Sequence, residues 1–108
     1  MLKKVFKWLK RAFLREKPFK YIFIQDVPDK VKQKVVYIVG DDEFYWQLIM
    51  LCPCGCAAVL HMNLMNEEFP CWSFSFNKKN QISVYPSINR FVGCKSHFFV
   101  RGSKIVWA

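Results

Sequence analysis

Three cysteines alternate with a proline and a glycine at Cys52-Pro53-Cys54-Gly55-Cys56, and no other stretch restricts the path of the chain so tightly. In a straight strand, at about 3.3 Å per residue, the outer two would lie about 13 Å apart. Thiolates that share one metal ion must come far closer than that. Pro53 and Gly55 both favour turns, so the segment is composed to curl. Tetrahedral zinc needs a fourth ligand. Cys94, just after Gly93, is the best-placed candidate, and His97 is an alternative to one of the cysteines. Cys71 follows Pro70 without such a context and reads as a small core hydrophobe. The expected site, Cys52, Cys54, Cys56 and Cys94 around a structural zinc, ties the middle of the chain to its C-terminal part. With four protein ligands, that zinc has no open position for chemistry.

Such a staple suits the length. The 108 residues make one domain, which buries only about 65% of its unfolded surface, and a metal supplements so thin a core. The formal charge is +9, but residues 1–20 hold eight Lys or Arg against one Glu, which leaves the other 88 residues at +2. The basic character therefore belongs to an N-terminal appendage. There Leu2, Val5, Phe6, Leu9 and Phe13 recur at helical spacing, while Lys3, Lys4, Lys7, Lys10 and Arg11 cover the remaining surface. Pro18 ends the pattern. The expectation is a basic amphipathic helix over 1–17. It either docks on the domain with a solvated basic face or meets an anionic membrane surface or acidic partner. Nucleic acid is the weaker alternative.

No apolar run approaches the ~20 residues of a membrane span. Lysines interrupt the apolar block that a signal peptide would need. A cytoplasmic location is expected, with the helix offering peripheral attachment to a membrane. In that reducing setting five cysteines are thiols or metal ligands and not disulfides.

After Pro18 the period changes from 3.6 to 2. Strands are expected at 19–24, 35–39, 44–51, 57–62, 72–76, 81–85, 98–101 and 104–107. Turns are expected at Pro28-Asp29 and at Gly40-Asp41-Asp42, with hairpin loops at 77–80 and 101–104. The fold class is α+β: a compact, mostly antiparallel β domain over 18–108 with a zinc knuckle and one N-terminal helix.

If the cysteines hold the metal, His97 is available for another task. Imidazole can take a proton from a serine hydroxyl and pass it to a leaving group. Ser87 and Ser96 are the candidate nucleophiles. Neighbours in an extended segment point to opposite faces, so Ser96 and His97 diverge and Ser87 is the better partner. No carboxylate adjoins the pair in sequence. Asp41, Asp42, Glu43, Glu67, Glu68 or Asn63 would have to arrive through the fold. His61, in an apolar strand pattern, reads as structural.

These blocks resemble a bacterial family of domains of unknown function, encoded beside ubiquitin-like proteins and their activating and conjugating enzymes. The resemblance rests on Cys-Pro-Cys-Gly-Cys at 52–56 with Asn63, Pro70 and Trp72 beyond it. It continues through Val84-Tyr85-Pro86-Ser87-Ile88, Gly93-Cys94-Lys95-Ser96-His97-Phe98-Phe99 and the closing Val106-Trp107. It implies a serine protease that trims ubiquitin-like precursors and removes the modifier from conjugates, so the implied partners are a ubiquitin-like protein and its conjugates. It carries over Ser87, Ser96, His97 and the four cysteines as functional positions. Ala57 departs from it, since the family often has another Gly there, and residues 1–17 lie outside it. The competing reading is a non-catalytic zinc-binding module that contacts protein or nucleic acid.

Overall fold

A computed structural model describes residues 18–91 and 93–108, which form eight strands and no helix. The helix expected over 1–17 lies outside these residues, so the described domain is all-β. The strands are β1 (Lys20–Ile24), β2 (Val35–Asp41), β3 (Phe44–Leu51), β4 (Val59–Asn63), β5 (Ser73–Phe76), β6 (Ile82–Asn89), β7 (His97–Arg101) and β8 (Lys104–Trp107). They make two four-stranded sheets in chain order, β1-β2-β3-β4 and β5-β6-β7-β8. Every pairing is antiparallel except β1 with β2.

Alternation assembles the core. Val36, Ile38, Leu48, Met50 and Met62 turn inward from the first sheet, and Ile82, Val84, Ile88, Phe98 and Val100 from the second. Each such side chain contributes about 1.5–3 kcal/mol when fully buried. β2 is apolar on both faces because both are covered. Its residues Tyr37 and Val39 join Ile49 in a smaller cluster on the far side, packed by Ile24, Val31, Val35 and Trp46. The connection from β1 to β2 crosses that face, and the Lys32 amide donates to the Tyr37 hydroxyl at 3.0 Å.

The β2–β3 turn falls one step later than the glycine suggests. Asp42 and Glu43 both take positive φ, 52° and 66°, as a two-residue hairpin turn requires. Gly40 sits at a register shift within the β2–β3 pair instead, where a Cβ would collide with the Phe44 carbonyl and the Tyr45 ring.

The second irregularity prepares the site. Val84 of β6 opposes Val100 of β7, and Ile88 opposes Phe98. Four steps along β6 thus match two along β7, so the surplus residues of a bulge lie at Tyr85-Pro86-Ser87. Proline supplies no ladder N–H, and a bulge re-aims the side chains beside it. Ile88 and Phe98 fill the core, which leaves Ser87 and His97 to share the opposite face of the sheet.

Candidate active site and metal centre

The knuckle curls as its composition demands. The Gly55 amide donates to the Cys52 carbonyl at 3.4 Å, and the Cys52 amide to the Ala58 carbonyl at 2.8 Å. Gly55 and Ala57 both hold positive φ, 95° and 63°. The turn brings Cys54 Sγ to 3.4 Å from Cys52 Sγ, and the second sheet brings Cys94 Sγ to 3.6 Å from Cys52 Sγ. All four ligand sulfurs lie within 4.8 Å of one another. Zn–S bonds of about 2.3 Å set tetrahedral S···S edges of about 3.8 Å, so the cluster fits one zinc ion. The four cysteines named from sequence are brought together, and His97 stands apart from them.

The environment of the sulfurs favours a cation. The Ser96 hydroxyl, 3.0 Å from Cys94 Sγ, and the Ser96 backbone amide lower the Cys94 thiol to about 6. The Ala58 amide lowers Cys56. For Cys54 the Cys56 amide acts downward, but the sulfurs of Cys56, Cys94 and Cys52 crowd the thiol and push it up to about 11. Thiolates gathered this closely repel one another, and a divalent ion relieves that. Arg90 Nη1 relieves part of it from outside, at 3.3 Å from Cys56 Sγ and 3.1 Å from Cys94 Sγ. Outer contacts of this kind orient the ligands of a metal and tune its affinity.

On the other face of β7, His97 Nε2 lies 2.9 Å from Ser87 Oγ. Both residues are partly buried. The Trp72 indole donates to the Ser87 carbonyl at 3.3 Å, and the Ala108 amide to the His97 carbonyl at 3.0 Å, so backbone on each side is held. Ser96 turns away to the cysteines.

A family model described as the bacterial ubiquitination-like system serine protease, BubE, matches residues 23–108. The chain belongs to the BubE family. No curated protein and no solved structure matches it. The match spans the knuckle, β6 and β7.

Asn63 and Asp41, two of the candidate orienting groups, are engaged elsewhere. Asn63 is spent on the 65–70 loop, its amide donating to the Met65, Glu68 and Pro70 carbonyls and its carbonyl oxygen accepting from the Met65 amide. Asp41 accepts from Gln25 at 3.0 Å. His61 Nδ1 lies 3.3 Å from Gln47 Oε1 on the exposed face of the first sheet. Cys71 is half-buried and lines a surface cleft, not the core. Sequence reasoning did not single out Arg90 or the role of the Trp72 indole. The one signal for Arg90 was its place four residues before Cys94, as a cation next to a metal loop.

Proposed function

We propose that this BubE-family chain cleaves after the C-terminal tail of a ubiquitin-like protein, both to mature its precursor and to release it from conjugates. Ser87 acts as nucleophile and His97 as general base and acid. The observation that carries this reading is the 2.9 Å contact between Ser87 Oγ and His97 Nε2 on one face of the sheet. Proton transfer needs that reach.

In the first step His97 Nε2 takes the hydroxyl proton as Ser87 Oγ adds to the scissile carbonyl carbon. The resulting oxyanion needs N–H donors, a role this reading gives to the backbone amide of Ser87. His97 then gives its proton to the departing amine, and the C–N bond breaks. Water, deprotonated by His97, hydrolyses the Ser87 ester and restores both residues. Cys52, Cys54, Cys56 and Cys94 would hold a zinc that supplies no chemical step and would secure the 93–96 turn that leads into β7.

The test is cleavage, monitored by mass spectrometry, of a ubiquitin-like protein carrying a C-terminal extension. A second substrate joins the same protein to a target lysine. The expected result is loss of a single C-terminal product by the parent chain, abolished by Ser87→Ala and by His97→Ala in folded protein. A parent chain that binds zinc and the modifier but cleaves neither substrate would be the non-catalytic module instead.

A further inference from the structure

β6 is eight residues long and β5 only four, and the difference exposes the strand beside Ser87. β5 pairs with β6 only as far as Ser73 opposite Tyr85. Before Ser73 the chain leaves the sheet, because the Trp72 amide turns to the Asn63 carbonyl at 2.7 Å. Among the described residues no strand pairs with 86–89 on the side away from β7.

Three contacts fix the direction of the main-chain groups. The Ala108 amide bonds the His97 carbonyl, so His97 directs its backbone groups toward β8. Backbone direction alternates along a strand, so Ser96 and Phe98 direct theirs toward β6, as the 2.8 Å bond from the Arg90 amide to the Ser96 carbonyl shows. Ile88 and Arg90 therefore face β7, and Ser87 and Asn89 face the open edge. The Trp72 indole reaches the Ser87 carbonyl from that edge. A cleft of about 490 Å³ adjoins this edge, ending at Pro86 next to Ser87, with Leu64, Met65, Trp72 and Tyr85 in its walls and Glu67 among them. Its lining is mainly apolar, and Tyr85 is 74% exposed.

We propose that the C-terminal tail of the ubiquitin-like substrate adds as a strand to the 87–89 edge of β6, bonded to the main chain of Asn89, and seats an apolar side chain in this cleft. The inference rests on the protease reading above. A precursor and a conjugate share only the acyl side of the scissile bond; their leaving groups differ. One site that cuts both must read the residues before the bond. An added strand does this with main-chain hydrogen bonds, and its alternate side chains enter pockets. Continuity of edge and cleft with Ser87 is what commits them to the tail, not to another partner. The Ser87 amide, on the same edge, then faces the carbonyl under attack.

The test uses synthetic peptides of the modifier's tail bearing a fluorogenic C-terminal amide. N-methylation, one amide at a time, removes single main-chain donors and leaves the enzyme untouched. Methylation at the residue paired with Asn89 should lower kcat/KM about tenfold, the size of one lost hydrogen bond plus a clash. Its two sequence neighbours, whose N–H groups point away, should tolerate methylation. Met65→Lys should raise KM for a tail with an apolar cleft residue and lower it for one with Glu there. Unlabelled peptides binding to the Ser87→Ala chain should repeat the N-methyl pattern in affinity. A flat methyl scan, or a Met65→Lys effect equal for all tails, overturns the edge site even if cleavage persists. Patterned binding to the Ser87→Ala chain, with no cleavage by the parent, keeps the edge site and overturns the protease reading.

Discussion

Ser96 turns its hydroxyl to Cys94 at 3.0 Å, while His97, the next residue, turns its ring to Ser87 at 2.9 Å. One strand entrance thus serves two clusters on opposite faces, and the two are made differently. The knuckle draws three ligands from five consecutive residues and one from a distance. Its shape is mostly local, and a bound ion would convert binding energy into folding energy. The serine–histidine pair has no local component. It exists only if β6 and β7 meet in the right register with the 85–87 bulge between them. Damage to the knuckle should therefore reach the pair, through Cys94 and the turn before β7. Damage to the pair should leave the knuckle intact.

The largest effect expected is from the clustered cysteines. Cys94→Ser or Cys54→Ser should lose stoichiometric zinc and unfold at a much lower temperature, because structural zinc sites in small peptides are worth about 10–16 kcal/mol. Elemental analysis together with thermal unfolding checks this. A variant free of metal that still melts like the parent chain would mean that the four sulfurs are packed thiols.

Next in size are Ser87→Ala and His97→Ala. Removing a general base typically costs about 100- to 10,000-fold in rate, and the two changes together should cost little more than one, since they act as a unit. Zinc content and melting temperature should stay at parent values. If His97→Ala instead releases zinc, the separation of the two faces is wrong.

The same division governs how far the sequence revealed these two regions. The knuckle was readable because Pro53 and Gly55 mark a curl between cysteines, and Gly93 marks the turn that brings Cys94 to them. Strand β3 and strand β8 have the bounds that their β-branched and aromatic content predicts. Strand β6 does not: its sequence pattern stops at Tyr85, because Pro86 looks like a terminator, whereas the bulge accommodates Pro86 and the strand runs on to Asn89. The parallel pairing of β1 with β2 was equally hidden, since alternation says nothing of strand direction. Asp42-Glu43 escaped because neither residue is Gly, although their hairpin turn needs positive φ at both. Trp72 was one aromatic among many, and only the fold aims its indole at Ser87.

Ser96→Ala sharpens the comparison at the peptide bond where the faces part. The hydroxyl contacts Cys94 and, more distantly at 3.9 Å, Cys52. Loss of an outer contact of this kind usually lowers metal affinity about 10- to 100-fold. Competition with a zinc chelator should show that loss, while kcat/KM at saturating zinc stays near the parent value. The reverse pattern, with activity abolished and zinc affinity unchanged, would make Ser96 the nucleophile and Ser87 its bystander.

The smallest expected effect separates backbone strain from ligation within the knuckle. Ala57 holds φ at 63°, in the left-handed region that favours glycine. A Cβ in that region costs about 1–2 kcal/mol. Glycine also frees the unfolded chain, which returns about 0.4–1 kcal/mol of that gain. Ala57→Gly should then stabilise the zinc-loaded protein by about 0.5–1 kcal/mol, or roughly 2–6 °C in Tm. Gly55→Ala is the mirror experiment. At φ 95° it has nothing among the described residues within 4 Å of a new Cβ, so no clash with them confuses the result and the destabilisation read is that of the backbone. Opposite signs for the two variants, at equal zinc content, would assign the difference to φ alone. If Ala57→Gly destabilises as Gly55→Ala does, the Ala57 methyl is packing against the knuckle and the strain argument fails.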